Sequence, residues 1–153
     1  MDHFFLIERH LAPMLAIAES LGDDRVNVLP DLPGANSAYQ LVFHSCGMLE
    51  WWTRESILGR PVGRDRAAEF TATGTIADLR ARVARVVEQL TEDLPQIDLD
   101  APLRGAHADY DGTPIAASAR GALLHVLEEL AQHHGHLEMT RDVVMSGDRA
   151  RPS

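Results

Sequence analysis

Two histidines and a glutamate have the residue types and the spacing that could bind a catalytic metal ion. Glu129 and His133 are four residues apart in the segment LLHVLEELAQHHGHL, residues 123–137, and His44 lies in LVFHSCGMLEWW, residues 41–52. Side chains four apart on a helix lie on one face. A histidine from a neighbouring helix would complete a three-ligand site. Zinc uses two imidazoles and one carboxylate where a fourth coordination position must stay open for chemistry.

Other histidines in the same segment keep the ligand set open on geometry alone. His125 precedes Glu129 by four residues, but at roughly 100° per residue it is rotated about 80° from His133. It is therefore expected beside the site or at its rim. His136 points close to the direction of Glu129, one turn further along, and is expected to line the pocket. The spacing does not match the H-E-x-x-H motif of the zincins.

An ordinary core role is the alternative interpretation for these side chains. His44 lies between Leu41 and Met48 on an apolar stripe, where a single histidine is usually a core residue satisfied by a neighbour. Glu129 lies on an apolar margin, where a carboxylate destabilises the fold unless a cation or hydrogen bonds satisfy it. Three candidates from two helices, two of them at ligand spacing, favour a metal site.

The residues that follow His44 are candidates for contacts with a substrate. Met48, Trp51 and Trp52 continue its helical stripe, so they are either core residues or the wall of a pocket beside the metal. Together with His136 they form the predicted binding set. Cys46 is rotated about 160° from His44 at 100° per residue, and it is expected to pack as a small hydrophobic residue.

Composition narrows the class of protein. The chain has 153 residues, a length that predicts one domain. Its net charge of -9 argues against nucleic acids and anionic membranes as partners. No apolar run approaches the roughly 18 residues of a transmembrane helix. The N-terminus lacks the basic start of a signal peptide. A single cysteine excludes an intrachain disulfide and fits a reducing compartment, so a cytoplasmic location is predicted.

Periodicity and breakers predict an all-α chain. The first helix is expected from an Asp2 cap to about Leu21, where Gly22 stops it, with a kink or a shortened start at Pro13. The second should begin at Asn36 or Ser37 and continue to residue 58.

Two further helices are predicted. The third should begin at Thr75 and end at Pro95, and the fourth should begin at Ile115 or Ala116 and end near residue 147. Residues 60–74 and 96–114 are predicted to be long connections. This layout predicts a four-helix bundle that need not be simple up-down-up-down. Residues 1–147 would form a single metal-binding domain, and 148–153 a disordered tail.

Three segments carry a family resemblance: NSAYQLVFHSCG at 36–47, RDRAAEFTATG at 64–74 and LLHVLEELAQHHGH at 123–136. With them the chain resembles the DinB-like metalloenzyme superfamily. Within it, the chain is most similar to the mycothiol-dependent S-transferases, which are related to the metal-binding domain of maleylpyruvate isomerase. Many DinB-like proteins have histidine in place of Glu129, whereas the mycothiol branch has glutamate.

The resemblance implies a ligand set, a fold and an assembly. His44, Glu129 and His133 would be the metal ligands, on a DinB-like four-helix bundle with long connections that often forms a homodimer. The isomerases carry an additional C-terminal domain that helps to hold substrate. Because this chain ends soon after its last helix, activity on maleylpyruvate is not expected.

The expected function is a metal-dependent, most simply zinc-dependent, thiol S-transferase. A low-molecular-weight thiol such as mycothiol would enter the open position, lose its proton and attack a small electrophile. No catalytic residue beyond the metal ligands is predicted. Water activated at the same position would instead make a hydrolase. The remaining alternative is a non-catalytic bundle that binds a metal or a thiol.

Overall fold

Long helices build the molecule. The computed structural model describes residues 3–105 and 108–149, and it contains α1 (His3–Arg25), α2 (Ala38–Glu50), α3 (Arg66–Glu69), α4 (Ile76–Asp93) and α5 (Ala119–Arg149). A π-helix, Trp51–Ile57, continues α2, and short 3₁₀ turns occupy Leu94–Gln96 and Ala108–Tyr110. No strand occurs within these two ranges. The prediction of an all-α bundle of DinB-like type is confirmed.

Helices α1 and α2 lie at the centre of the packing. Each contacts both α4 and α5, and they also contact one another. The core between them is made of fully buried aliphatic side chains, among them Leu11, Met14, Leu41, Leu49, Leu79, Leu90, Leu130 and Leu137. Because α2 packs directly on α5, the helix that carries His44 lies against the helix that carries Glu129 and His133.

Helix α1 differs from the prediction at both of its breakers. Gly22 has φ 67° and ψ 175°, a left-handed conformation that glycine adopts without steric cost. It interrupts the helix as predicted, but the chain resumes helical structure as far as Arg25. Pro13 lies inside α1, and its backbone angles are helical, so the helix continues through it from His3 and is not shortened there. The predicted Asp2 cap lies outside the described residues.

Helix α2 begins after the predicted cap Ser37, but it ends at Glu50, before the predicted end at residue 58. Ser37 accepts a hydrogen bond from the Gln40 amide, and the Gln40 side chain accepts one from the Ser37 amide, which makes a capping box. The prediction of one continuous α-helix to residue 58 is wrong in its last turns. From Trp51 the chain is a π-helix, in which the amide of Leu58 donates to the carbonyl of Thr53, five residues earlier.

The two connections contain more structure than predicted. Residues 66–69 form the short helix α3, whose N-cap Asp65 accepts a hydrogen bond from the amide of Ala68 at 3.0 Å. Helix α5 begins at Ala119 rather than at residue 115 or 116. Its first amides, of Ala119 and Arg120, donate to carbonyls of the preceding loop, at Ala101 and Leu99. The loop therefore caps the helix, and the helix extends to Arg149.

Helix α5 includes residues 148 and 149, the first two residues of the predicted tail. Residues 150–153 lie outside the described residues. No helix in the described parts of the chain is long and apolar enough to span a membrane.

The capping box of α4 yields a stability prediction. The exposed Thr75 accepts a hydrogen bond from the Asp78 amide, and Asp78 in turn accepts from the Thr75 amide. Thr75→Ala removes one half of this exchange and should destabilise the protein by about 1 kcal/mol. Urea denaturation followed by circular dichroism measures the change. The control is Thr91→Ala, an exposed threonine inside the same helix, which should stay within about 0.5 kcal/mol of wild type.

Candidate metal centre

The packing of α2 on α5 brings the three predicted ligands together. His44, Glu129 and His133 each offer one ligand atom, and these atoms lie within 4.8 Å of one another. The rings of His44 and His133 meet edge to face with centroids 4.7 Å apart. The Nε2 atom of His133 lies 3.5 Å from a carboxylate oxygen of Glu129. Two imidazoles and one carboxylate therefore surround a single point.

One ring nitrogen of His133 is buried and lacks a hydrogen bond. Its Nε2 atom forms no hydrogen bond with the described residues, and the 3.5 Å contact with Glu129 is too long for a good one. Burial, together with the neighbouring His44, lowers the pKa of His133 to about 4. The ring is therefore neutral near pH 7, which is the form that binds a metal. An orphaned, neutral imidazole beside a carboxylate fits a divalent cation.

The other side of His44 is held by an ion pair that the sequence did not predict. Its Nδ1 atom lies 2.7 Å from Oε2 of the buried Glu69. Arg64 donates to both oxygens of the same carboxylate, at 2.7 and 2.8 Å. Burial by itself would raise the pKa of Glu69, but the hydrogen bonds from Arg64 and His44 outweigh it and the pKa is lowered. Glu69 is thus an ionised carboxylate at neutral pH.

An open cavity of about 320 Å³ reaches the cluster. Its wall includes two of the predicted ligands and three of the predicted binding residues: His44, Glu129, Met48, Trp51 and Trp52. The π-helix brings the two tryptophan rings to this wall, 4.8 Å apart and edge to face. Trp52 is buried while Trp51 is partly exposed, so the core and pocket-wall interpretations both hold for Trp52.

Two of the other histidines, His125 and His136, do not belong to the cluster of candidate ligands. His125 lines the cavity but bonds to the hydroxyl of Tyr110, with its Nε2 atom 3.1 Å from that oxygen. This matches its expected position at the rim. His136 does not line this cavity. It lies in a separate groove formed with the 30–35 loop, Met139 and Thr140.

Polar residues of the cavity wall were missed by sequence reasoning. These are Arg64, Arg66, Asp109 and Tyr110, joined by Glu69 behind His44. All lie in the two connections, where helical periodicity carries no information. The segment RDRAAEF did mark the first connection through the family resemblance. Nothing in the periodicity of residues 96–114 marks Tyr110.

Cys46 is separated from this chemistry. It is fully buried, and burial raises the pKa of its thiol to about 12. A thiol with this pKa is almost entirely protonated at neutral pH, and the thiolate is the reactive form. Cys46 therefore packs in the core, as predicted.

A helical bundle with two histidines and a glutamate beside an open cavity defines a protein of the DinB-like class. The chain belongs to the mycothiol-S-transferase family, whose family model matches residues 4–146. This match covers every residue of the candidate site. No curated protein and no solved structure shows significant similarity to the chain.

The buried thiol gives a test of the fold around the site. The thiolate fraction of a group with a pKa of about 12 is roughly 10⁻⁴ at pH 8, and only the thiolate reacts. Cys46 of the native protein should resist Ellman's reagent, and the protein unfolded in guanidinium should release one equivalent of the coloured product. Rapid stoichiometric labelling of the native protein would contradict the buried position.

Proposed function

We propose that the protein is a divalent-metal-dependent S-transferase that joins a low-molecular-weight thiol, mycothiol, to a small electrophile. His44, Glu129 and His133 are the proposed metal ligands, with zinc as the expected ion. The observation that carries the proposal is the convergence of these ligand atoms within 4.8 Å at the wall of an open cavity, in a chain of the mycothiol-S-transferase family.

The reaction balances without an oxidant or a reductant. The S–H bond of the thiol breaks, and the electron pair on sulfur forms a new S–C bond. The leaving group departs with the electron pair of its own bond to carbon, and the thiol proton is released. A metal ion, when bound, supplies the positive charge that makes a thiol acidic near neutral pH. The protein therefore needs no nucleophile of its own, which agrees with the unreactive environment of Cys46.

Side chains of the cavity can stabilise the negative charge that develops during the reaction. Tyr110 bonds to His125 on the same wall that carries Glu129. Burial raises the pKa of Tyr110, and the charge of Glu129 raises it further, so the phenol keeps its proton. We assign Tyr110 as a hydrogen-bond donor to the negative charge that develops on the electrophile. This role requires the His125 tautomer in which Nε2–H donates to the phenol oxygen, because the phenol has a single hydrogen to donate. Trp51 and Trp52 supply apolar surface that limits the access of water.

The cavity also offers positive charge to the electrophile. Arg64 and Arg66 both contribute to its wall. Arg64 is engaged with Glu69, whereas Arg66 lies over the ring of Phe70 at 5.6 Å. An exposed guanidinium of this kind would favour a leaving group or substituent that carries negative charge. A homodimer and a cytoplasmic location remain predictions of the family resemblance and of composition.

Exchanging one ligand tests the proposal. His133→Ala should abolish both metal binding and thiol-dependent turnover, because it removes a neutral imidazole from the three proposed ligands. The matched control is His134→Ala, since the neighbouring histidine faces His10 of α1 with their Nδ1 atoms 3.2 Å apart. This control should keep one metal ion per chain and most of the activity. Elemental analysis and turnover of a chromogenic electrophile with mycothiol measure the two properties.

The same assay separates the proposal from a hydrolase. Metal-loaded wild-type protein should consume the electrophile only when the thiol is present and should form a thioether product detectable by mass spectrometry. Equal rates with and without thiol would instead support metal-dependent hydrolysis. Thiol binding without turnover of any electrophile would contradict the transferase proposal and favour a binding protein.

A further inference from the structure

We propose that Glu69 is a positioning residue for the metal centre. It would hold His44 in the tautomer and ring orientation that bind the metal, while Arg64 and Gly47 hold Glu69 itself. The inference rests on the proposed function, because it assumes that His44 is a ligand. It adds to the site three residues that never touch the metal, and it gives the short helix α3 a functional role.

The contacts of His44 determine its tautomer. Nδ1 lies 2.7 Å from Oε2 of Glu69 and 3.4 Å from a terminal nitrogen of Arg64. A carboxylate only accepts hydrogen bonds and a guanidinium only donates them. The much shorter contact is with the carboxylate, so Nδ1 carries the hydrogen and donates it. Nε2 then keeps its lone pair, and it is the nitrogen left to act as a ligand.

A carboxylate in this position also strengthens the ligand. Metal-bound histidines commonly donate their second nitrogen to a carboxylate, which fixes the ring and raises its basicity. Glu69 is 3% exposed, and a buried charge of this kind needs a partner. Arg64 supplies it with the bidentate contact described above. The guanidinium, the carboxylate and the imidazole thus form a chain that ends at the ligand cluster.

Gly47 allows the carboxylate to approach helix α2. It follows His44 by three residues, which is close to one helical turn. A Cβ atom on Gly47 would lie 2.1 Å from Oε1 of Glu69. Any other residue would therefore displace the carboxylate. Glycine in a helix interior is less favourable than alanine by about 1 kcal/mol. The close approach of the Glu69 carboxylate requires glycine at this position all the same.

A purely structural ion pair between α3 and α2 is the competing interpretation, and the chain contains a matched control for it. Asp93 is a second buried carboxylate held by two arginines, Arg54 at 3.0 Å and Arg60. It lies at the end of α4, and it does not line the cavity. Glu69→Gln and Asp93→Asn each remove one buried negative charge from an arginine cluster. Only the first should affect the metal.

The experiment is a zinc titration of the full chain in competition with a chromophoric chelator. Glu69→Gln should weaken zinc binding about 10- to 100-fold, and Asp93→Asn should leave it unchanged. Cobalt substitution supplies a spectroscopic readout. The absorption bands of the cobalt-loaded protein should shift in Glu69→Gln and match wild type in Asp93→Asn, because only the first variant alters the bonding of a ligand.

A second pair of variants moves the carboxylate without removing its charge. Gly47→Ala should weaken zinc binding in the same range, although alanine favours the helix. The control is Gly135→Ala on α5, where a Cβ atom would meet nothing within 4 Å. This control should bind zinc like wild type. The pair remains informative if Glu69→Gln does not fold.

The outcomes separate the inference from the function on which it rests. Zinc binding by wild type that Glu69→Gln and Gly47→Ala leave unchanged would overturn the positioning role and keep the metal site. Equal weakening by Asp93→Asn would also overturn it, because a general structural effect would then suffice. A wild-type protein that binds no zinc, cobalt or other divalent ion would overturn the proposed function itself.

Discussion

The candidate site depends on one packing contact, that of α2 against α5. This contact places His44 beside Glu129 and His133 and leaves the Nε2 atom of His133 buried without a hydrogen-bond partner among the described residues. A buried, unsatisfied polar atom is costly in a folded protein. Natural structures keep few such atoms, and a bound metal is one of the explanations. The burial that lowers the pKa of His133 also keeps the ring neutral and able to bind a cation.

Neighbouring elements contribute side chains to the candidate site from two sides. On one side, α3 supplies a carboxylate to His44, and Gly47 leaves room for it. On the other side, the π-helix turns Trp51 and Trp52 towards the cavity. A π-helix is a rare form that often occurs at functional sites. The apolar core also includes buried residues of α1 and α4, such as Leu11 and Leu79, which lie on helices without a candidate ligand. The helices can therefore pack together without the metal.

Helical periodicity predicted the positions of the long helices, because their buried faces repeat along the sequence. It did not predict features that depend on local backbone hydrogen bonds. Thr75 was identified as a helix start, and Ser37 was one of two candidates with Asn36, because side chains of these types can satisfy helix amides directly. The π-helix was missed because its residues also fit a regular apolar stripe. The start of α5 was misplaced because loop carbonyls cap it. Likewise, Glu69 and Tyr110 reach the site from connections, where no periodic pattern exists to indicate which way a side chain points.

The most direct test of the metal centre is a crystal structure of the zinc-loaded protein with anomalous data collected on both sides of the zinc absorption edge. The account predicts one strong anomalous peak bounded by Nε2 of His44, Nε2 of His133 and a carboxylate oxygen of Glu129. The distances should be about 2.0–2.2 Å, with a fourth position facing the cavity. A peak at any other group of residues, or a fourth protein ligand that closes the site, would contradict it.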